Sequence, residues 1–151
     1  MPSTRRIKAA AVPAPRLDDV LGYQLARASI RTHDVFFEVA GVPLDVRPVE
    51  YTILSLIGEN PDLSAARLAQ LLAVTAPNIT AWLGKLEKRG LVMRVASETD
   101  RRAQVLSLTP AGSQLAADAT QRLVEAERAT FSTLSHGEYV LLGELLRKLA
   151  T

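Results

Sequence analysis

Apolar residues recur at helical spacing through most of the chain and alternate in one short stretch. Leu17, Leu21, Leu25, Ala28, Val35, Phe36 and Val39 mark a long first helix over 17–39, which Gly41 and Pro43 stop. A second helix starts near Pro48, carries Tyr51, Ile53, Leu54, Leu56 and Ile57, and ends at Gly58 and Asn60-Pro61. Two short helices then surround a tight turn. Ser64 caps the first, with Ala65, Leu68, Ala69 and Leu72 on its apolar face. Thr75 caps the second, and Ile79, Leu83 and Leu86 at i, i+4 and i+7 form its buried side.

After Gly90 the period changes. The run 91–95, a polar tip at 97–102 and the alternating run 103–108 predict two short strands in a hairpin. Thr109-Pro110 restarts a helix through Leu115, Ala119, Leu123, Ala126 and Phe131. A last helix opens with Ser135 and Glu138 at capping-box spacing and carries Val140, Leu141, Leu145, Leu146 and Leu149. The predicted fold is mainly α with a small antiparallel β-hairpin wing.

A chain of 151 residues buries roughly two-thirds of its unfolded surface, so it builds a core without covalent staples. Cysteine is absent, which excludes disulfides, thiolate metal sites and thiol chemistry, and with only His33 and His136 no metal or other cofactor is expected. No apolar run reaches the length of a membrane span, and a cytoplasmic protein with no membrane partner is expected. The net charge of +2 conceals an uneven distribution: +4 over 1–16, −5 over 17–63, +4 over 64–102 and −1 over 103–151. The first segment, with Arg5, Arg6, Lys8, Arg16 and three prolines, reads as a flexible basic arm ahead of a single domain over 17–151. The basic centre suggests a polyanion-facing surface.

Helix, turn, helix, strand, basic loop and strand is the order of a winged helix–turn–helix. In three segments the chain resembles the MarR-type transcriptional regulators: LSAARLAQLLAVTAPNITAWLGKLEKRGLV at 63–92, TDRRAQVLSLTPAG at 99–112 and LSHGEYVLLGELLRKL at 134–149. With 46–57 included, the likeness covers nearly everything after residue 17, and Asp-Arg-Arg followed by Leu-Thr-Pro-x-Gly is its most specific part. The resemblance implies a winged helix over 46–109 and a homodimer joined through helices in 17–45 and 110–151. It also implies release from DNA when a small aromatic acid or phenol binds between these parts.

The residues themselves fit DNA. A helix with an apolar rear and a small, polar front can lie in the major groove. Asn78 suits an adenine edge, Ala81 and Pro77 a thymine methyl, and Thr75 and Thr80 phosphate or base, with Ser64 and Ala76 at the adjoining helix starts. Lys85, Lys88 and Arg89 lie later in the helix and suit the backbone. Arg101 or Arg102, oriented by Asp100, suits a narrow minor groove. Many MarR relatives carry a basic residue where this chain has Ala81, so readout there is expected to be more apolar. Two copies on a two-fold axis would read a pseudo-palindromic operator with half-sites about 10 base pairs apart.

For an anionic aromatic effector, Tyr23, Arg27, Arg31, His33 and Tyr51 offer suitable chemistry on the first two helices. Simpler readings stand beside several of these. The basic run 85–89 alone is also what a solvated helical face looks like, Trp82 suits core packing better than base stacking, and His136 suits a first helical turn. No phosphate loop, dinucleotide fingerprint or nucleophile–base pair points to an enzyme. The alternative to a DNA-binding regulator is a winged-helix module that joins proteins without specific DNA binding.

Overall fold

Each helix after the first begins where the chain supplies a capping oxygen or a proline. In the computed structural model, described over residues 15–97 and 104–150, these starts order six α-helices around one hairpin. A 3-10 turn, Leu17–Asp19, precedes α1, Leu21–Phe36, and the Arg16 amide donates to the Asp19 carboxylate at 2.7 Å. Helix α2 spans Pro48–Glu59, α3 Ala65–Leu71, α4 Ala76–Lys88, α5 Pro110–Thr130 and α6 His136–Leu149. Strands β1, Val92–Ala96, and β2, Gln104–Leu108, pair antiparallel with Val92 opposite Leu108 and Val95 opposite Val105.

The expected first helix over 17–39 is not continuous. It breaks at Val20, whose backbone is extended, and widens to a π turn over Phe37–Gly41. The Val42 amide reaches back five residues to the Phe37 carbonyl, at 3.0 Å. Gly41 permits the widening, because a Cβ there would lie 2.9 Å from the Phe37 ring and 3.2 Å from Phe36. Of the arm expected over 1–16, residues 15 and 16 lead into the 3-10 turn, and 1–14 lie outside the described residues.

Two apolar clusters hold the chain. The larger joins Ile53, Leu54 and Ile57 of α2 to Leu68 of α3, to Ile79, Leu83 and Leu86 of α4, and to Leu91, Val92 and Leu106 around the hairpin. Trp82 packs partly buried against it. The smaller joins Phe36, Ala40 and Val46 to Ala119 and Leu123 of α5. Helix α5 therefore touches both clusters, through Ala116 in the first and Ala119 in the second.

A two-stranded hairpin alone is marginal in water. Here it is fastened at its base. The Leu106 amide donates to the Leu63 carbonyl at 2.9 Å, and the Thr109 amide donates to the Leu91 carbonyl at 3.1 Å. Thr109 also caps α5: its hydroxyl donates to the Gly90 carbonyl at 2.6 Å and accepts from the Gly112 amide at 3.1 Å. Gly112 has no alternative at this joint, since a Cβ on it would meet the Leu91 carbonyl oxygen at 2.0 Å. The Leu-Thr-Pro-x-Gly segment is thus the weld between wing and helix.

Helix α6 is different. Its capping box is formed, with the Glu138 amide donating to the Ser135 hydroxyl at 3.4 Å; the Ser135 amide and hydroxyl each donate to the Glu138 carboxylate at 2.8 Å, and these two bonds hold that carboxyl below its ordinary range. Yet none of its residues is buried, and Val140, Leu141, Leu142, Leu145, Leu146 and Leu149 are all exposed.

Candidate nucleic-acid interface and effector pocket

The turn between α3 and α4 sets the angle of the second helix. Ala73 takes a left-handed φ of 51° and the Val74 amide returns to the Ala69 carbonyl at 3.0 Å, closing α3. Ser64 caps α3 as expected, accepting from the Arg67 amide at 3.2 Å. Thr75 stands at the N-cap of α4, but its hydroxyl accepts nothing from the helix. Pro77 removes one of the two amides a cap oxygen normally binds, and the other, Asn78 N–H, bonds the Thr75 carbonyl at 3.1 Å. The Thr75 side chain is therefore left outside the helix.

With Ile79, Leu83 and Leu86 buried, α4 turns Thr75, Ala76, Pro77, Asn78, Thr80, Ala81, Lys85 and Lys88 outward. The Thr80 hydroxyl donates to the Ala76 carbonyl at 2.9 Å, so only its lone pairs face outward. Lys85 and Lys88 form no ion pair among the described residues. The face is small and polar at the amino end and basic toward the carboxyl end.

Arg89, expected against the DNA backbone, has partners within the chain. Its guanidinium donates to the Asp45 carbonyl at 2.7 Å and lies 3.4 Å from Glu50, whose side chain is 8% exposed. Asp45 holds a left-handed φ of 48° that presents this carbonyl, and Glu50 also accepts from the Arg47 amide at 3.0 Å. Arg89 thus ties the end of α4 to the start of α2. Arg94 of β1 is similarly held by Glu87 of α4 at 2.8 Å. Asp100, Arg101 and Arg102 lie outside the described residues.

A second site lies between α1, α2 and α5: a cavity of about 270 Å³ lined by Thr32, His33 and Phe36, by Pro48, Tyr51 and Thr52, and by Leu123 and Glu127. It gathers two of the five expected effector residues, His33 and Tyr51. The other three lie elsewhere. Tyr23, Arg27 and Arg31 follow one another at i+4 along a different stripe of α1, where Arg27 sits 5.6 Å over the Tyr23 ring and 3.8 Å from Asp18. Glu127 was not foreseen; its signal was only the i+4 spacing from buried Leu123, and burial raises its carboxyl above the ordinary range.

The MarR family model matches residues 46–103, the helix–turn–helix and wing. A protein of Thauera aromatica assigned to transcriptional regulation of the hcr operon is 33% identical over 129 residues, covering 85% of this chain and 78% of that one. The chain belongs to the MarR family. Among solved members, the repressor CouR bound to a 23-mer DNA duplex superposes with a TM-score of 0.78 at 29% identity, covering 94% of this MarR chain and all of CouR. CouR from Rhodococcus jostii RHA1 bound to p-coumaroyl-CoA gives 0.77 at 25% identity, over 91% of this chain and 96% of CouR. These MarR relatives are transcriptional regulators, and their winged-helix fold is the one described above. No helix among the described residues is long and apolar enough to cross a membrane.

Proposed function

We propose that this MarR protein is a homodimeric repressor that binds a pseudo-palindromic double-stranded operator and is released by a small aromatic or phenolic effector. The observation that carries the reading is the outward face of α4, with Asn78, Thr80 and Ala81 ahead of unpaired Lys85 and Lys88 and a fully apolar rear. In this arrangement Asn78 and Ala81 read bases, Thr75 and Ser64 approach phosphate, and the lysines supply affinity that depends on salt. Arg101 or Arg102, with Asp100, extends the contact into the minor groove.

Dimerisation is supported by α6, whose six large apolar side chains are 41% to 60% exposed on their own chain, and by Leu17 and Leu21, 61% and 59% exposed. Residues 17–45 and 110–151 would supply the interface and 46–109 the operator contacts. Effector release is supported by the cavity between α1, α2 and α5, which touches both parts. Coupling of ~1–3 kcal/mol is typical for such a device.

Fluorescence anisotropy on the DNA upstream of the coding sequence, titrated with salt against unrelated duplex, tests the reading. Competitor-resistant binding that weakens steeply with salt is expected. Binding no tighter than competitor, there and to every duplex in a random selection, refutes it and leaves a protein-joining module.

A further inference from the structure

The hydroxyl groups around the α1/α2/α5 cavity have already placed their protons. Thr32 donates to the Ser29 carbonyl at 2.9 Å and Thr52 to the Pro48 carbonyl at 2.9 Å. The Thr120 hydroxyl donates to the Ala116 carbonyl at 2.8 Å, so in its 2.9 Å bond with Tyr51 the tyrosine is the donor. What the Thr32, Tyr51 and Thr52 hydroxyls have left to offer a ligand is lone pairs. Glu127 adds a carboxylate that has no hydrogen-bond or ion-pair partner among the described residues, and no lysine or arginine lines the wall. Among the described lining residues only the His33 side chain, edge-on to Phe37 at 4.8 Å between centroids, brings an N–H to the site.

From this arrangement we infer that the cavity selects a one-ring aromatic ligand whose polar end donates a hydrogen bond, a phenol, and rejects the corresponding carboxylate, with Glu127 as the discriminating residue. The inference rests on the effector pocket proposed above and narrows its ligand, against the anionic effector that the sequence suggested. A phenolic O–H to Glu127 is a charge-assisted hydrogen bond. A ligand carboxylate only accepts, so it meets acceptors and, at the partly buried Glu127, a like charge. Phe36 and Leu123, packed in one apolar cluster, give the ring its apolar floor, and a cavity of about 270 Å³ has room for a single-ring compound.

The test is calorimetric titration of the full chain at pH 7 with 4-methylphenol and with 4-methylbenzoate, nearly equal in shape and opposite in donor character. Wild type is expected to bind the phenol at least about tenfold more tightly, and Glu127→Gln to shrink that ratio to within about threefold by admitting the benzoate. Equal or tighter binding of the benzoate by wild type overturns the inference, as does a ratio unchanged in Glu127→Gln. A third protein, Thr52→Phe, fills the cavity and separates the two levels of the argument. Loss of phenol binding in it locates the site. Phenol binding that survives Thr52→Phe, or no binding of either probe at millimolar concentration, overturns the pocket reading and this inference with it.

Discussion

Replacing Gly112 by alanine sets two physical effects against each other. Helix propensity alone favours alanine by up to about 1 kcal/mol. The joint with the wing opposes it, because the new Cβ would fall 2.0 Å from the Leu91 carbonyl oxygen and 2.9 Å from its carbonyl carbon. Ordinary contact lies more than 1 Å further out, and both neighbours are backbone, so α5 and β1 must separate. Separation strains the Thr109 amide bond to Leu91 and the Thr109 hydroxyl bond to Gly90. Two hydrogen bonds contribute ~0.5–1.5 kcal/mol each, and overpacking costs ~1–3 kcal/mol. After the propensity gain, a net loss of about 3 kcal/mol remains, or roughly 10 °C in melting temperature for a chain this long. Circular dichroism melts at one fixed protein concentration measure it. Gly84→Ala is the control, since a Cβ at Gly84 meets nothing within 4 Å and propensity should act unopposed. A Gly112→Ala melt within about 2 °C of wild type, or above it, refutes the reasoning.

Asn78→Ala should relax base preference by ~1–3 kcal/mol at one position per half-site, read by binding to single-substituted operators. Lys88→Ala should weaken binding to all duplexes alike and reduce the slope of log K against log salt by about 0.9 for each phosphate contact removed. Leu145→Asp, on the exposed face of α6, should yield monomers by sedimentation and abolish operator binding while the far-UV spectrum of the winged helix persists. Glu127→Gln has a pH signature. Burial raises the folded carboxyl above its unfolded value of about 4.5, so the stability linked to its protonation is full below that value and lost as pH rises through the raised one. The variant should therefore melt higher than wild type at pH 7 and together with it near pH 4.

Local rules made much of this fold legible. Ile79, Leu83 and Leu86 are buried as their spacing requires, Ser64, Thr109 and Ser135 cap three helices, and Gly90 ends α4 with a φ of 68°. Features set by distant partners were not. Arg89 read as a surface cation because Asp45, 44 residues away, bears no local mark of the carbonyl it offers. Thr75 had the right cap position, and the adjoining Pro77 silenced its hydroxyl. Ala73 carries the left-handed turn that glycine usually announces. Glu127 became notable only through the pocket it lines with residues of α1 and α2, 70 or more positions away in sequence. Of the expected DNA face, the α4 residues were legible from amphipathicity alone, since one buried stripe fixes the opposite one.

The weld at Gly112 also makes α5 a lever. The helix is welded to the wing near its first turn and forms a wall of the cavity at Glu127, fifteen residues later, about 22 Å along its axis. A tilt of about 5° pivoting at the cavity carries the wing end through about 2 Å, comparable to the shifts by which packed helices switch between discrete arrangements. Because the joint is backbone against backbone, little of that displacement is absorbed before it reaches the hairpin.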